Sequence, residues 1–152
     1  MQQHVDNMRN QANTCRPLGV GTVTRVLVTG ASGFVGRALC RHLASLGYDV
    51  VGASRSTVNG EDAGRTEFVT VDDVLSPESW TAALSGADCV VHLAARVHVM
   101  QETAADPLTE FREANVSMTK ILAEEAARAG VKRFIFLSTI KVLGEGTGEG
   151  QA

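Results

Sequence analysis

Three glycines between residues 30 and 36 have the spacing of a phosphate-binding turn. Gly30, Gly33 and Gly36 stand in the segment TGASGFVG, which follows a short apolar run and precedes an amphipathic helical pattern. A strand that ends in such a turn, with a helix behind it, presents backbone N–H groups and the positive end of a helix dipole, which together suit a pyrophosphate. Gly30 would allow the tight turn, Gly33 the approach of phosphates, and Gly36 close helix–sheet packing. The spacing G-x-x-G-x-x-G is a weak signal alone, so a glycine-rich turn that binds nothing stays open.

Two further polar positions lie where a parallel α/β sheet places chemistry. Asn115 stands beside the apolar face of a long helical pattern. A buried amide without hydrogen bonds costs ~1–3 kcal/mol, so we expect this one to be bonded; the alternative is an ordinary polar residue on the flank of the helix. Thr139 follows Ser138 at the carboxyl end of an apolar run, the end at which parallel-sheet enzymes carry their reacting groups. His92, inside another apolar run, is expected to be a buried structural residue rather than a catalyst.

Apolar, β-branched runs alternate with helical patterns from residue 25 onward. The runs predict strands over residues 25–29, 49–53, 67–71, 88–93 and 133–138, and the first is apolar enough to be buried on both faces. Strands separated by helices imply right-handed crossovers and a parallel sheet. We therefore expect a doubly wound α/β domain of Rossmann type with strand order 3-2-1-4-5. In that order the ligand crevice lies between the first and fourth strands.

Helical patterns connect these strands. The first follows the glycine turn and ends near Gly47, where a left-handed cap is expected. The next two begin with Ser76-Pro77 and Asp106-Pro107, pairs typical of an N-cap followed by proline in the first turn. The predicted apolar faces comprise Val35, Ala38, Leu39, His42, Leu43 and Leu46 in the first helix and Phe111, Ala114, Met118, Ile121, Leu122, Ala126 and Ala129 in the last.

The composition narrows the class of protein. The chain has 152 residues, 44% of them hydrophobic and 20% charged, which fits one globular domain with a buried core. Its net charge of −3 argues against a nucleic-acid partner. No apolar run approaches the ~20 residues of a membrane-spanning helix, so no membrane partner is expected. Cys15, Cys40 and Cys89 form no CxxC pair, and they predict reduced thiols in a cytoplasmic protein with no metal site.

Polar sequence flanks the patterned region on both sides. Residues 1–24 are rich in Gln and Asn and lack both a regular period and the apolar core of a secretory signal, so we expect a disordered leader. The patterned domain extends over residues 25–145. Residues 146–152 are rich in glycine and cannot contribute to a core, so they predict a loop or tail.

Four motifs in this order resemble those of a known family. They are TGASGFVG at residues 29–36, DCVVHLAA at residues 88–95, Asn115, and FLST at residues 136–139 followed by VLG at residues 142–144. The chain resembles the extended short-chain dehydrogenase/reductase family over nearly all of residues 25–145. Within that family it is most similar to the NAD-dependent epimerase/dehydratases that act on nucleotide sugars, the UDP-sugar 4-epimerases in particular. Membership would imply a UDP-sugar substrate and a homodimer of the full-length protein.

The resemblance implies a binding site for NAD or NADP. The family's cofactor contacts fall on Gly30, Ser32, Gly33, Phe34, Val35 and Gly36 around the pyrophosphate, on Asp72 near the adenine, and on Leu93, Ala94 and Ala95 beneath the cofactor. Ser54 and Arg55 replace the acidic residue that would bind the ribose 2′-hydroxyl of NAD. A hydroxyl and a guanidinium tolerate a 2′-phosphate and slightly favour NADP, whereas a solvated Arg55 would leave the protein with NAD. Asp72 and its neighbour Asp73 can also simply terminate the strand.

The resemblance assigns catalysis to Thr139, which would hydrogen-bond the reacting sugar hydroxyl, and a supporting role near the catalytic water to Asn115. The family also needs a Tyr-x-x-x-Lys pair as general acid and base. The sole tyrosine is Tyr48, and Gly52 stands where the lysine would be. We therefore expect an N-terminal fragment that lacks the later strands, binds dinucleotide and does not turn over substrate. A nucleotide-sugar 4-keto reductase and, in another class, a non-catalytic dinucleotide-binding module stay open as alternatives.

Overall fold

The computed structural model describes residues 24–56, 66–96 and 106–139. Neighbouring strands are parallel in every pair, and their order across the sheet is β3-β2-β1-β4-β5, which confirms the predicted Rossmann topology. Within the described ranges the strands are β1 (Arg25–Thr29), β2 (Asp49–Ser54), β3 (Glu67–Thr70), β4 (Cys89–His92) and β5 (Arg133–Phe136). The predicted leader, up to residue 23, and the predicted glycine-rich tail lie outside the described residues.

Helices form the crossovers between these strands. Their bounds are α1 (Phe34–Ser45), a 3-10 turn (Pro77–Trp80) leading into α2 (Thr81–Leu84), and α3 (Pro107–Arg112) followed by a π-helical turn (Glu113–Ser117) and α4 (Met118–Arg128). The sequence predicts one uninterrupted helix over the last of these, and that prediction is wrong at the π turn. A π turn inserts an extra residue into the helix and is frequent at functional sites. Asn115 lies within it.

Side chains on both faces of β1 are buried, as the sequence predicts. Leu27 faces one apolar cluster and is 0% exposed, while Val26 and Val28 face the other. The first cluster includes Val51, Trp80, Val90 and Leu122, and the second includes Ala31, Cys40 and Val50. Because β1 is held from both sides, the turn that follows it starts from a fixed position.

The face of α1 that packs on the sheet differs from the prediction. Val35 and Leu46 are 51% and 56% exposed, whereas Gly36 and Cys40 are buried. A Cβ atom on Gly36 would overlap the carbonyl oxygen of Gly30, so α1 can approach β1 only with this glycine facing it. That contact rotates the helix by roughly one residue, or a little over a quarter turn, from the predicted orientation.

The predicted N-caps hold at one helix and fail at another. Asp106 Oδ1 accepts the Thr109 N–H at 3.2 Å, as predicted. Ser76 does not cap its helix, because its hydroxyl donates to the Glu78 carboxylate at 2.6 Å and a charge-assisted bond is stronger than a neutral one. Gly47 has a φ of +85°, which confirms the left-handed cap after α1.

Charged side chains join the amino ends of the strands. The Arg25 guanidinium bonds Asp49 at 2.7 Å and Glu67 at 2.8 Å, and so links β1 to β2 and β3. Asp88, just before β4, accepts the Arg25 backbone N–H at 3.2 Å and the Lys132 ammonium at 2.7 Å. The hydrogen bond from Lys132 lowers the pKa of Asp88. This edge is therefore a structural edge, and the residues expected to do chemistry lie at the opposite one.

Candidate functional site

The carboxyl ends of the strands meet at one edge of the sheet. Thr29 is in register with Ala53 on β2 and with His92 on β4, and His92 is in register with Phe136 on β5. The segments that follow these residues are therefore neighbours. Open parallel sheets bind ligands at this edge, in the crevice where the strand order reverses, which here lies between β1 and β4.

The glycine turn lies at the start of that crevice. Gly30 has a φ of +67°, and a Cβ atom there would lie 2.9 Å from the backbone nitrogen of Ala94. Gly33 is different, since its φ is −77°, it is exposed, and the nearest atom to a Cβ would be the Gly30 carbonyl oxygen at 3.2 Å. The fold itself requires glycine at Gly30 and Gly36, whereas at Gly33 the glycine leaves an exposed backbone uncovered.

The N-terminus of α1 presents backbone donors to the crevice. Arg37 makes the first amide bond within the helix, to the Gly33 carbonyl oxygen at 2.9 Å. The N–H groups of Phe34, Val35 and Gly36 therefore have no acceptor inside the helix. Among the described residues no side chain caps this end, and its first turn contains no acidic residue, whereas the start of α3 carries carboxylates of its own. An anion is the group that such an end suits.

Ser32 and Arg37 brace the turn from outside. The Arg37 Nε–H donates to the Ser32 carbonyl oxygen at 2.8 Å, and this contact places a positive charge beside the turn. The side chains of Phe34 and Val35 are 96% and 51% exposed. These two residues can thus contribute to the crevice through their backbone N–H groups.

Residues 93–95, which we call the β4 wall, lie opposite the turn. The N–H groups of Leu93 and Ala94 both donate to the Thr29 Oγ1 at 3.2 Å. Leu93 and Ala94 are half-buried and Ala95 is exposed. The close contact with Gly30 and the bonds to Thr29 fix the wall directly against the glycine turn.

Ser54 ends β2, Arg55 follows it, and Asp72 lies after β3 at the same edge of the sheet. Ser54 is 8% exposed, its carbonyl oxygen accepts the Val71 N–H at 2.8 Å, and its Oγ accepts the Ser56 N–H at 3.4 Å. Arg55 and Asp72 are exposed, and the Asp72 carboxylate accepts the next backbone N–H at 3.1 Å. The Ser54 hydroxyl therefore belongs to its own turn, while the two charged side chains face solvent beside it.

Asn115 holds the chain immediately after the β4 wall. Its Oδ1 accepts the Arg96 N–H at 2.7 Å, and its Nδ2 donates to the Arg96 carbonyl oxygen at 2.9 Å. The amide thus satisfies both backbone groups of a residue outside any strand or helix. The Arg96 guanidinium lies 5.3 Å from the ring centre of Phe111 and 3.5 Å from the Glu110 carboxylate. The prediction that Asn115 is hydrogen-bonded is confirmed.

Thr139 and Tyr48 lie at opposite edges of the sheet. Thr139 follows β5 at the carboxyl edge and is exposed. Tyr48 precedes β2 at the amino edge and packs against the cluster that contains Val26 and Cys40. The sole tyrosine of the chain therefore lies at the amino ends of the strands, opposite the crevice, as predicted.

The described residues also bear on metal, membrane and thiol chemistry. Among the described residues no three His, Cys, Asp or Glu side chains gather in the way a metal ion requires. In that same part of the chain no helix has the length and apolar character of a membrane crossing. Cys40 is buried and Cys89 is half-buried, and both are free. Burial raises the pKa of the Cys40 thiol to about 11, which keeps it protonated and inert at neutral pH.

Sequence reasoning missed two hydroxyl groups behind the wall. His92 is 0% exposed, as predicted, and its ring nitrogens lie 2.6 Å from the Thr29 Oγ1 and 2.9 Å from the Thr119 Oγ1. A signal was available for Thr119, since it stands one helical turn after Asn115 and so shares its face. Thr29 gave no such signal, because its contact with His92 depends on the register of β1 and β4.

A parallel sheet whose order reverses beside a glycine turn and an uncapped helix defines the Rossmann class of nucleotide-binding domains, and solved dehydrogenases share this fold. Residues 26–152 match the family described as NAD dependent epimerase/dehydratase. The chain belongs to this family, which confirms the resemblance inferred from its motifs.

Individual relatives are similar over the same region. A UDP-glucose 4-epimerase of Vibrio cholerae is 45% identical over 123 residues, which are 80% of this chain and 37% of that protein. Uronate dehydrogenase from Agrobacterium tumefaciens, complexed with NAD, superposes with a TM-score of 0.62 at 28% identity over 78% of this chain and 42% of its own. MoeE5, in complex with UDP-glucuronic acid and NAD, gives a TM-score of 0.64 at 29% identity over 82% and 40%. The chain thus spans less than half the length of each of these proteins.

Proposed function

We propose that this chain binds NAD in the crevice between β1 and β4, with the pyrophosphate on the N-terminus of α1. The observation that carries the proposal is the set of N–H groups on Phe34, Val35 and Gly36, at a helix end that no described side chain caps and whose first turn has no acidic residue. The exposed backbone of Gly33 lies beside them. These groups fit a pyrophosphate because they supply several donors and a positive dipole to one small volume.

The rest of the dinucleotide would extend to both sides of this point. In the proposal the β4 wall lies beneath the nicotinamide, and Asp72 lies near the adenine. Arg55 stands where the adenine ribose would lie, and Ser54 is largely covered there. We propose NAD rather than NADP, because the family is described by its dependence on NAD and both solved neighbours named above hold NAD.

We further propose that the full-length protein acts on a UDP-sugar at carbon C4. Support comes from the identity of 45% to a UDP-glucose 4-epimerase and from the UDP-glucuronic acid complex of a structural neighbour. NAD, when bound, supplies an acceptor for the hydride that leaves C4. The 4-hydroxyl proton passes to a general base at the same time. Return of the hydride to the other face of the 4-keto sugar then inverts the carbon, and no net redox change results.

Thr139 and Asn115 are the residues of this chain proposed to assist that step. The Thr139 hydroxyl would hydrogen-bond the reacting sugar oxygen from the end of β5. Asn115 would order the segment after the β4 wall near the catalytic water, and its paired bonds to Arg96 support that role. Tyr48 lies at the opposite edge and cannot serve as the base. We therefore propose that the 152-residue chain binds NAD without converting a sugar.

An oxidoreductase that stops after one hydride transfer is the second candidate, because uronate dehydrogenase shares the fold. Incubation of the full-length protein with UDP-glucose and NAD distinguishes the two. An epimerase forms the C4 epimer with no accumulation of NADH. An oxidoreductase accumulates NADH in proportion to product, and a non-catalytic module does neither. A 4-keto reductase is detected in a second incubation, in which it consumes NADH or NADPH with the keto sugar.

Titration of the 152-residue chain with NADH tests the binding proposal directly. We expect saturable binding by calorimetry and a loss of at least about tenfold in affinity for Gly33→Val, since a side chain there covers the amides. The matched control is Ala38→Val, which adds a similar side chain to the exposed face of α1 and should leave affinity unchanged. Equal affinities for the parent and Gly33→Val, or no binding by the parent at millimolar NADH, would contradict the proposal.

A further inference from the structure

His92 connects the ends of β1 and β4 to helix α4 inside the core. Its side chain is 0% exposed, with Nδ1 at 2.6 Å from the Thr29 Oγ1 and Nε2 at 2.9 Å from the Thr119 Oγ1. The rings of Phe134 and Phe136 pack against it with centroids 6.1 and 5.5 Å away. An imidazole that is bonded at both nitrogens and covered by two rings cannot reorient, so it fixes how the strand ends sit relative to the helix.

One arrangement of protons satisfies all of these contacts. The Thr119 hydroxyl donates its single proton to the Asn115 carbonyl oxygen at 2.8 Å, so toward the ring it can only accept. The hydrogen between them therefore belongs to His92 Nε2. Burial lowers the pKa of His92 to about 4, which leaves the ring neutral at pH 7 with a bare Nδ1. That nitrogen accepts the Thr29 hydroxyl proton.

The direction of the last bond decides what Thr29 can do for the wall. Because its proton is committed to His92, the Thr29 oxygen keeps its lone pairs for the N–H groups of Leu93 and Ala94, both at 3.2 Å. These two amides lie in irregular chain and need acceptors. The same stretch of backbone contacts Gly30, where a Cβ would lie 2.9 Å from the Ala94 nitrogen.

Stability alone does not explain a histidine at this position. When a hydrogen-bonded polar group and its partners are all replaced by apolar groups of the same shape, the free energy of unfolding changes little. A satisfied polar network instead specifies one geometry, because its bonds are directional and every partner is needed. The geometry specified here is the spacing between the glycine turn and the β4 wall.

We propose that His92 is a positioning residue of the dinucleotide site, which through Thr29 holds the β4 wall against the glycine turn and through Thr119 ties that wall to the π turn that carries Asn115. The inference rests on the proposed binding of NAD at this crevice. It assigns no contact between His92 and the cofactor. The acceptor Nδ1 holds the β4 wall through Thr29, and the donor Nε2 bonds helix α4 through Thr119.

Two substitutions separate these halves in the 152-residue chain. In His92→Asn the side-chain oxygen is as many bonds from Cβ as Nδ1 is, so it can accept from Thr29. In His92→Gln the amide nitrogen reaches as far as Nε2, so it can donate to Thr119 and leaves Thr29 without its acceptor. We expect His92→Gln to bind NADH about five- to tenfold more weakly than His92→Asn, a difference equal to one hydrogen bond. Urea curves confirm that each titrated sample is folded.

A second pair of variants, at Thr29 on β1, tests the same series of hydrogen bonds. Thr29→Val keeps the shape and removes the hydroxyl, while Thr29→Ser keeps the hydroxyl. We expect Thr29→Val to bind NADH more weakly and to exchange the amides of Leu93 and Ala94 faster. Thr29→Ser should restore both the affinity and the slow exchange. Equal NADH affinity for His92→Asn and His92→Gln, or for Thr29→Val and Thr29→Ser, would overturn the inference.

The parent chain decides the matter if these variants do not fold. In NMR spectra the ring nitrogen resonances of His92 should show a neutral ring with hydrogen on Nε2. They should shift when NADH saturates the site, while the resonances of the exposed His42 stay in place. Hydrogen on Nδ1, or His92 resonances that do not move at saturation, would overturn the inference. Failure of the parent to bind NADH at all would instead refute the proposed function, so the two failures are distinguishable.

Discussion

Mild acid is expected to destabilise the fold through His92. Burial lowers the pKa of this ring from 6.5 to about 4, because the charged form cannot be solvated inside the core. His92 therefore binds a proton near pH 6.5 in the unfolded chain but only near pH 4 in the folded chain. At pH values between these limits the free energy of unfolding falls as the pH falls, and the stability is fully present above pH 6.5.

The size of the effect follows from the same linkage. Each unit of pKa difference is worth about 1.4 kcal/mol, so the loss from pH 7 to pH 5 is about 2 kcal/mol and the full loss about 3 kcal/mol. This loss is a large fraction of the free energy of unfolding of a typical domain, which is about 5–15 kcal/mol. Few single groups contribute so much. The lowered pKa values of Asp88, bonded by Lys132, and of Asp106, bonded by Thr109, make stability fall only at still lower pH. The window above pH 5 therefore isolates His92 from these carboxylates.

Urea unfolding at a series of pH values measures this slope. The parent should lose about 2 kcal/mol between pH 7 and pH 5, and His92→Asn should lose much less over the same range, whatever its stability at pH 7. His42→Asn is the matched control, since it removes an exposed histidine and should keep the slope of the parent. An equal pH dependence of the free energy of unfolding in the parent and in His92→Asn, or a free energy of unfolding that increases toward acid pH, would rule out this role of His92.

Three other substitutions have outcomes that differ in kind. Gly36→Ala should lower the free energy of unfolding by about 1–3 kcal/mol or prevent folding, because its Cβ would overlap the Gly30 carbonyl, and a urea curve like that of the parent would contradict the packing described. Asn115→Ala should cost about 1–3 kcal/mol and speed amide exchange at Arg96, which loses both partners, whereas unchanged exchange would show that the paired bonds are not formed in solution. Arg55→Ala should weaken NADPH and NADH equally if the site is built for NAD, and a selective loss of NADPH would indicate a 2′-phosphate contact.

The fold could be predicted from the sequence because its signals are local and agree with one another. The apolar run before the glycine turn marks β1, and its burial on both faces follows from its composition. Strand ends differ from the prediction by a residue or two, for example at β5, which ends at Phe136. Strands alternating with helices leave few topologies, and the observed order is the expected one.

Other features could not be predicted, either because two local signals competed or because the contact joins distant parts of the chain. The rotation of α1 is set by the meeting of Gly36 with Gly30, which outweighs the apolar pattern that favours burial of Val35. The hydroxyl of Ser76 bonds a nearby carboxylate rather than the helix end that its position suggests. The bonds of His92 need the register of two strands and the position of a helix, none of which a single stretch of sequence contains.

We propose that NAD is held mainly by the backbone N–H groups at the start of α1, which bind its pyrophosphate. The most direct measurement is a two-dimensional amide NMR spectrum of the 152-residue chain during titration with NADH. We expect the largest shifts at Phe34, Val35 and Gly36, with smaller ones at the β4 wall and none at the opposite edge near Tyr48. Saturation with the α1 amides unmoved, or shifts confined to another part of the sheet, would contradict this proposal.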